Sequence, residues 1–525
     1  MANPEAIPPA LGASPPPDSS TPKNLGRRTL SGLIWLTLQT VGSKLAGTAS
    51  QLLLAWILVP KDFGVVGMAL TVSSFASLIQ QAGLNEILVQ RGRHFARWAN
   101  VSFWMSVTLG LLSGMAMMAA APPAARFYKV PGLIGLIAVA AVAAPISALS
   151  VVPMARLQLD LRFRTLAAIN FWVNCSQAVL SVIFALLRFG PYSLLLPRPI
   201  ICVFQAAILW RGQSRFLRLR PQWRRWKFML ADSSYIFTAW IFYTIISQGD
   251  YISLGLRRTA EIVGIYYFGF NLSVQMNTLF TQNVMSALLP ALSTLQHDPK
   301  RQFAAFLRSA RSLALVGIPF GLFMVALAAP GFHLMFAPRW YPSIRVVQAL
   351  GVGMAVSMIG AVGITLLQAR GQFRLLMILS IFASVLFVTL VVPAVLIGGA
   401  GSVAIAVGIF HFIYGPWMLR EGVRSAGGSW RDVANIYGPA TFSGVLGIGA
   451  ATAVAQLLPN IHGRDVLQIG LIGILGLALY ALLIWRTAPE AGAELLKRLA
   501  VLRYRLPWAG RGAAKSSHPD ADIID

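Results

Sequence analysis

Apolar stretches of about twenty residues recur along the chain from Leu30 to Trp485, separated by short polar breaks that often contain proline or glycine. A helix of about twenty residues crosses the roughly 30 Å hydrocarbon core of a bilayer. The pattern predicts an all-α polytopic membrane protein of about fourteen transmembrane helices, near residues 30–58, 64–88, 98–121, 132–153, 166–187, 191–210, 232–255, 262–289, 309–329, 341–369, 374–397, 400–419, 433–458 and 466–486.

The composition and the charge indicate that most of the chain lies in lipid. Hydrophobic residues make up 56% of the 525 residues and charged residues only 11%, against roughly 25% charged in soluble proteins. The net charge of +26 is spread thinly between apolar stretches, which argues against nucleic-acid binding. Alternate connections hold 32 and 9 of the 43 basic residues. By the positive-inside rule, this split predicts that both termini are cytoplasmic.

A weak internal repeat suggests two halves. The segments "FGVVGMALTVSSFASL", from Phe63, and "VGIYYFGFNLSVQMNTL", from Val263, place Gly64 and Ser73 opposite Gly264 and Ser273. Parallel repeats around a central cavity are typical of transporters. We therefore predict a disordered cytoplasmic tail (1–26), a six-helix bundle (27–210), a basic cytoplasmic linker (211–231), a second six-helix bundle (232–420) related to the first by pseudo-symmetry, two additional transmembrane helices (421–486) and a cytoplasmic tail (487–525).

Polar residues recur at helical spacing within four of the predicted spans, so each set shares one face. The sets are Thr37, Thr40, Lys44, Thr48 and Gln51; Ser73, Ser77 and Gln81; Asn170, Asn174, Gln177 and Ser181; and Asn271, Gln275, Thr278 and Gln282. Lipid cannot satisfy amides and hydroxyls, so these faces either bond between packed helices or line a wet lumen. A lumen of this kind suits a substrate rich in hydroxyl groups.

Three charged residues, Lys44, Arg198 and Asp250, lie five or more residues from both ends of a predicted span, where charges are costly and usually functional. Lys44 lies roughly 20 Å from either end of its span by helical rise. It is either a cation of the cavity, the partner of Asp250 across the two halves, or a sign that the span is misjudged. Arg198 lies between two prolines in "LLLPRPIICV" and is shallow enough to reach the interface instead. Asp250 could pair with Arg257 and Arg258, or couple or gate transport.

No motif in the chain indicates enzyme chemistry. There is no P-loop, glycine-rich nucleotide motif, His/Cys cluster or pair of carboxylates on a soluble face. The two cysteines, Cys175 and Cys202, fall inside predicted spans and suggest neither a disulfide framework nor a metal site. We expect no cofactor, no metal and no catalytic residue.

Several segments together resemble the bacterial polysaccharide flippase family, part of the multidrug/oligosaccharidyl-lipid/polysaccharide exporter superfamily. They are "LVPKDFGVVGMALTVSSFASLIQQAGLNEILVQR", "PPAARFYKVPGL", "VVPMARLQLDLRFRTLA", "RFGPYSL" and "SQGDYISLGLRRTAEIVGIYYFGFNLSVQ", in the family's order, over roughly residues 27 to 420. The proline-rich "LLLPRPI" and the turn "RRTAEIVG" depart from the family's usual pattern.

The resemblance implies a flippase of the bacterial cytoplasmic (inner) membrane with a V-shaped cavity that opens alternately to each side. The substrate would be an undecaprenyl-pyrophosphate-linked oligosaccharide for exopolysaccharide or lipopolysaccharide assembly, moved with a proton gradient, a sodium gradient or the membrane potential. Possible partners are a polysaccharide polymerase and chain-length machinery, besides membrane lipids.

On this hypothesis, Lys44 and Arg198 meet the pyrophosphate and Asp250 couples or gates the change of conformation. Seven amides would contact sugars: Gln51, Asn170, Asn174, Gln177, Asn271, Gln275 and Gln282. The alternatives are a multidrug or cation antiporter of the same superfamily, which would favour an acidic cavity, and a membrane-embedded glycan polymerase or ligase. The short predicted outer loops disfavour the polymerase or ligase.

Overall fold

The computed structural model describes residues 22–80, 95–160, 162–211, 226–459, 463–487 and 489. The helices within these ranges are α1 (Pro22–Ile57), α2 (Pro60–Gln80), α3 (Phe95–Phe127), α4 (Leu133–Ala148), α5 (Val151–Leu159), α6 (Phe163–Leu186), α7 (Tyr192–Leu195), α8 (Pro197–Trp210), α9 (Trp226–Arg257), α10 (Ala260–Thr294), α11 (Pro299–Met335), α12 (Pro342–Ala369), α13 (Phe373–Ile397), α14 (Ala400–Ser425), α15 (Trp430–Gln456) and α16 (Arg464–Thr487). A 3-10 turn, Pro338–Trp340, precedes α12.

The helical pattern predicted from the sequence agrees with this order. A helix occupies each predicted position, and the all-α fold class is confirmed. Among the described residues, ten helices (α7 and α8 counting as one) are long and apolar enough to cross a membrane, or eleven if α4 and α5 form one bent span. Helices α1, α9 and α10 include side chains outside the described part of the chain, so the number fourteen stays a prediction.

Two predicted spans are interrupted. The span predicted over 132–153 is two helices, α4 and α5, that meet at 44°. At the junction, the N–H groups of Leu149 and Ser150 donate to carbonyls only three residues earlier, at 3.2 and 3.0 Å. Tightened turns of this type are a recognised cause of bends. The span over 191–210 breaks at Leu196, before Pro197 and Pro199, which have no N–H to continue the ladder.

Similar helix pairs pack together in the two predicted halves. In the first, α1 packs on α6, α3 on α4, and α4 on α8. In the second, α9 packs on α13, α11 on α12, and α12 on α14. These pairs correspond in order along the chain, as a duplication would require. Helices α15 and α16 pack on each other and on α11.

The two halves touch most closely where α2 crosses α10. A Cβ atom at Gly64 would lie 1.7 Å from the carbonyl oxygen of Ala260, and one at Gly264 would lie 1.7 Å from that of Pro60. Only glycine permits backbones this close. The two contacts are reciprocal, and they join the two glycines that the weak internal repeat aligns.

A layer of aromatic side chains packs between the helices at the level of this crossing. Trp340 is fully buried, with its ring centroid 4.3 Å from that of Phe268 and 5.2 Å from that of Phe63. Its Nε1 donates to the carbonyl of Ala55 at 2.9 Å, and Arg339 Nη2 donates to the carbonyl of Trp56 at 3.0 Å. These bonds satisfy carbonyls in the last turn of α1, which no residue of α1 can reach. We call this side of the bundle the Trp340 end.

We call the opposite side of the bundle the Arg370 end. It has a polar clamp, which, unlike the contacts at the Trp340 end, lies within one predicted half. Arg370 Nε donates to Gln302 Oε1 at 2.9 Å, and its Nη1 donates to the carbonyl of Ser425. Gln302 in turn donates to the carbonyl of Leu292 at 2.8 Å. The clamp ties together α10, α11, α12 and α14, all in the predicted second half. It therefore does not join the two halves.

Candidate functional site

A cavity of about 680 Å³ lies between α2, α3, α4 and α8 on one side and α9 and α10 on the other. Its polar lining comes mainly from the predicted first half, with Trp240 and Tyr267 contributed by the second. It begins near the glycine crossing, at Val66, and continues along α2 to Gln80. Its size falls in the range of small-molecule sites. Its polar side chains are Ser73, Ser74, Ser77, Gln80, Ser147, Gln177, Arg198, Trp240 and Tyr267.

The serine face of α2 presents acceptors to this cavity. The hydroxyls of Ser73, Ser74 and Ser77 each donate at 2.8 Å to the carbonyl four residues earlier. A serine whose single proton is used in this way keeps lone pairs on its oxygen. Gln80 Nε2 donates to Ser147 Oγ at 2.9 Å and holds α2 against α4. The face therefore suits a ligand that donates hydrogen bonds, as sugar hydroxyls do.

Arg198 supplies the positive charge of the cavity. It stands in the first turn of α8, directly after the break at Leu196, and its side chain is exposed to the cavity. No carboxylate among the described residues lies within 4 Å of its guanidinium. A guanidinium offers a planar set of donors that matches phosphate. Broken helices that point their amino ends at anions are a recurring feature of transporter sites.

Gln177 is the predicted sugar-contacting amide that lines the cavity. Its Nε2 donates to the carbonyl of Leu194 and to Ser181 Oγ, both at 3.4 Å. These bonds tie α6 to the short helix α7, next to Arg198. The structure thus brings together two of the residues proposed from the sequence, Gln177 and Arg198.

The polar face of α1 meets α10 rather than the cavity. Gln275 Nε2 donates to Gln51 Oε1 at 2.5 Å, and Thr48 Oγ1 donates to Gln275 Oε1 at 3.1 Å. Gln51 is only 8% exposed, and its own Nε2 has no partner in the described part of the chain. These amides therefore bond between helices, the first of the two alternatives that the sequence left open.

Lys44 lies one turn before Thr48 on this same face, half-buried. It is not among the residues that line the cavity. Within the described residues it forms no ion pair, so the pair with Asp250 is absent from this conformation. The structure thus separates Lys44 from Arg198, the residue predicted to share its ligand.

The remaining predicted amides lie elsewhere. Asn271 Nδ2 donates to the carbonyl of Tyr267, in its own helix, at 2.8 Å. Asn174 is exposed and donates at 2.7 Å to the carbonyl of Asn170, which is half-buried. Neither asparagine of α6 lines the cavity. The side chains of four other members of the polar sets lie outside the described residues: Thr37, Gln81, Thr278 and Gln282.

Asp250 is buried beside the cavity in an aromatic cluster. It is 1% exposed, and its Oδ2 accepts from the hydroxyl of Tyr266 at 2.5 Å. Its Oδ1 accepts from the N–H of Tyr251 at 2.8 Å. Arg258, which could have paired with it, donates to the carbonyl of Val395 at 2.9 Å instead. No lysine or arginine in the described part of the chain forms an ion pair with this carboxyl group.

Some cavity residues were missed by the sequence analysis. Gln80 follows Ser77 by three residues and Ser73 by seven, so helical spacing could have found it. Ser147 carried no such signal, because it is a single serine in an otherwise apolar helix. In the sequence, Tyr267 and Trp240 cannot be distinguished from aromatic residues of the core. No group of three or more potential metal ligands occurs in the described residues.

Comparison with known proteins adds sequence evidence. The profile of a family described as polysaccharide biosynthesis protein matches residues 53–345, more than half of the chain. The succinoglycan biosynthesis transport protein ExoT of Rhizobium meliloti is 24% identical over 312 residues, 58% of this chain and 62% of that protein. The match thus spans less than two thirds of ExoT. The lipopolysaccharide biosynthesis protein WzxC of Escherichia coli is 22% identical over 418 residues, 73% of this chain and 78% of that protein.

Among solved structures, the inward closed conformation of the lipid II flippase MurJ is similar. The TM-score is 0.69 at 12% sequence identity, covering 86% of this chain and 99% of that one. At this identity the likeness concerns the fold alone. The chain is therefore a multi-pass membrane protein with a MurJ-like helical fold.

Proposed function

This chain belongs to the family of polysaccharide biosynthesis proteins, and we propose on that premise that it is a flippase rather than an enzyme. It moves an undecaprenyl-pyrophosphate-linked oligosaccharide across the bacterial inner membrane by alternating access, for exopolysaccharide or lipopolysaccharide assembly. The observation that carries the proposal is the cavity, which combines an acceptor-rich serine face with Arg198, an arginine that forms no ion pair within the described residues.

The orientation proposed from the distribution of basic residues determines which end of the bundle faces which side of the membrane. With both termini cytoplasmic, the Trp340 end faces outward and the Arg370 end faces the cytoplasm. The halves are in contact at the Trp340 end, whereas the clamp at Arg370 lies within one half. The conformation is thus closed to the outside, as expected for a state that receives substrate from the inner leaflet.

We assign Arg198 to the substrate pyrophosphate in this state. Gln177 and the serine face of α2 contact sugars. Lys44 takes part at another stage, when α1 separates from α10 and the bond between Gln51 and Gln275 breaks. The other amides of the polar faces, Asn170, Asn174, Asn271 and Gln282, are proposed to contact sugar in that second state as well.

Asp250 is proposed to couple transport to protons. Carboxyl groups buried at membrane depth are recurring members of proton relays. Opening of the cluster formed by Tyr251 and Tyr266 would expose it to solvent and release the proton. Polysaccharide polymerase and chain-length proteins are the proposed partners.

A gene deletion tests the function in cells. Without the protein, lipid-linked oligosaccharide should accumulate on the inner leaflet and surface polysaccharide should disappear. Re-expression of the wild-type chain should restore both. Normal surface polysaccharide in the deletion strain, with no accumulation of lipid-linked intermediate, would contradict the proposal.

A further inference from the structure

The central cavity has two walls of different chemistry. The predicted first half contributes the serine face of α2 together with further polar side chains, among them Gln177 and Arg198. The predicted second half contributes two residues to the lining, Trp240 from α9 and Tyr267 from α10. One wall therefore offers hydrogen-bond acceptors and a cation, and the other wall offers aromatic rings.

Trp240 is the more accessible of the two aromatic residues, with 40% of its surface exposed. Tyr267 is half-buried and packs against Gly67. Its ring also contacts those of Phe63 and Tyr251, with centroid distances of 6.3 and 5.8 Å. Tyr267 thus belongs to the packed contact between the halves, whereas Trp240 presents accessible ring surface to the cavity.

A neighbour on the same helix orients the indole of Trp240. The ring of Tyr243 lies at 87° to it, with the centroids 5.5 Å apart, which is the edge-to-face arrangement typical of aromatic pairs. At this angle Tyr243 can cover no more than one face of the indole. Within the described residues, Trp240 Nε1 donates to no acceptor, so this N–H is available to a ligand.

The indole and the serine face lie at nearly the same level of the bundle. Helix α2 begins and α9 ends at the Trp340 end, so the two helices run in opposite directions. Thr71 Oγ1 donates to Gln248 Oε1 at 3.2 Å and aligns them. Toward the other end of the bundle, Trp240 lies about 12 Å from Gln248 and Ser77 about 9 Å from Thr71 by helical rise. Trp240 and Ser77 are therefore on opposite walls of the cavity at similar depth.

These two walls select a ligand with two kinds of surface. A pyranose ring carries hydroxyl groups around its rim and, when most of them are equatorial, C–H groups on its faces. The hydroxyls can donate to the serine oxygens, and a C–H face can pack flat on an indole, whose face is electron-rich. A hydrocarbon chain would leave the serine oxygens without donors. A cationic drug would find no carboxylate among the residues that line the cavity.

We propose that Trp240 is a specificity-determining residue, on whose indole a pyranose ring of the substrate stacks while the hydroxyls of that ring meet the serine face of α2. This inference rests on the proposed function and deepens it, because it names the class of sugar that the cavity selects, a pyranose with an apolar C–H face. The serine face belongs to the first half and Trp240 to the second, so the bound sugar bridges the two halves.

Binding to the purified full-length protein in nanodiscs tests the proposal. One probe is undecaprenyl pyrophosphate that carries a cellobiosyl group, whose ring hydroxyls are all equatorial, and the other is undecaprenyl pyrophosphate without sugar. The wild-type protein should bind the sugar-bearing lipid more tightly. Trp240→Leu keeps an apolar side chain but removes the flat ring, so it should raise the Kd of the sugar-bearing lipid about tenfold and leave that of the sugar-free lipid unchanged. Trp240→Phe keeps a ring and should raise the first Kd only about threefold.

Two further variants serve as controls. Trp172→Leu replaces a tryptophan of α6 that is 68% exposed but does not line the cavity, and it should bind both lipids as the wild-type protein does. Arg198→Gln should weaken the binding of both lipids, since both carry the pyrophosphate. Equal weakening of both lipids by Trp240→Leu would indicate a structural role. An unchanged Kd of the sugar-bearing lipid in folded Trp240→Leu protein would exclude the ring from the sugar site. Either result overturns the proposal.

A measurement on the wild-type protein does not depend on the folding of a variant. Hydroxyl radicals oxidise accessible tryptophan side chains, and mass spectrometry locates the oxidised residues. The sugar-bearing lipid should protect Trp240 from oxidation, whereas the sugar-free lipid should not, and Trp172 should be oxidised equally in both cases. Oxidation of Trp240 that is the same with either lipid would contradict the proposal.

The proposed function and this inference fail separately. If the wild-type protein flips the sugar-bearing lipid in vesicles, and Trp240→Leu flips it as fast and binds it as tightly, the sugar platform is wrong and the proposed function stands. If the wild-type protein binds the sugar-bearing lipid through Trp240 but does not flip it, the function is wrong and the sugar site stands. If it neither binds nor flips either lipid, both are wrong.

Discussion

Lys44 and Arg198 are the two basic residues that lie deepest within predicted spans, and the structure gives them different surroundings. Lys44 belongs to a continuous helix, α1, and lies beside amides that bond to α10. Arg198 follows a helix break and lines the central cavity. Both are cations at membrane depth, but in this conformation only Arg198, of the two, lines that cavity.

The difference shows that the depth of a basic residue within a span does not predict whether its side chain lines the central cavity. Lys44 is the deeper residue by helical rise, yet it is not among the residues that line the cavity in this conformation. Arg198 lies between Pro197 and Pro199, on a helix that packs beside α4, and its exposed side chain lines the cavity. Lys44 instead lies on a helix that is held at its C-terminal end by Arg339 and Trp340 and about two turns earlier by Gln275.

Replacement of Arg198 should have the largest effect. Arg198→Gln removes the charged donors for pyrophosphate, whose bonds are worth about 1.5–3 kcal/mol, so transport should fall about tenfold to a hundredfold. Initial rates of lipid-linked oligosaccharide flipping in vesicles measure this. The matched control is Arg211→Gln, an exposed arginine at the other end of α8, which should transport normally. Equal losses in both variants would remove Arg198 from the site.

Replacement of Lys44 should have a smaller effect. Lys44→Gln keeps a polar, half-buried side chain, so its loss should not exceed that of a partly exposed ionic contact, up to about 1 kcal/mol or about fivefold in rate. The same vesicle assay measures it. A loss greater than that of Arg198→Gln would reverse the ranking of the two cations and would favour Lys44 as the principal phosphate ligand.

A double substitution tests whether Lys44 pairs with Asp250 in any state. Asp250→Asn alone should abolish the response of transport to a proton gradient, because the amide cannot exchange a proton. The effects of Lys44→Gln and Asp250→Asn on the transport rate should then add, within about 0.5 kcal/mol, as for independent sites. A double variant no slower than the more impaired single variant would indicate that the two residues act as a pair.

The bond between Gln51 and Gln275 should matter least. Gln275→Leu breaks two interhelical hydrogen bonds, one to Gln51 and one from Thr48, and each bond of this type contributes about 0.6 kcal/mol on average within a membrane. The free energy of unfolding of the variant, measured by thermal unfolding, should fall by about twice that amount, with transport reduced less than in Lys44→Gln. Ser293→Ala, which loses only a bond within α10, serves as the control. A loss of transport comparable to that of Arg198→Gln would place this amide in the substrate site.

Much of the fold could be predicted from the sequence because, for an apolar stretch of this length in lipid, the α-helix satisfies all backbone hydrogen bonds within the stretch. Every apolar stretch has to satisfy its own N–H and C=O groups, so each becomes a helix. The bend between α4 and α5 was missed, although Pro153 has no N–H to donate to the carbonyl of Leu149, which accepts from Trp210 Nε1 at 2.9 Å instead. Helical periodicity located Gln177, Ser73 and Ser77, but not Ser74 and not which polar faces would meet.

Which polar faces meet depends on contacts between segments that are distant in the sequence. Gln51 and Gln177 look alike in sequence, each on a polar face within a span. One meets an amide of α10, 224 residues away, whereas the other borders open space beside α7. No local pattern distinguishes these outcomes, because both satisfy the same requirement for hydrogen-bond partners away from lipid.

The most direct test of the account is flipping by the purified protein in sealed vesicles. Fluorescent undecaprenyl-pyrophosphate-linked oligosaccharide is placed in both leaflets, and a membrane-impermeant quencher reports the fraction that becomes accessible from outside. The wild-type protein should make nearly all of the fluorescence quenchable, whereas Arg198→Gln should slow this process about tenfold or more. Quenching that stops at the outer-leaflet fraction, as in protein-free vesicles, would contradict the central claim.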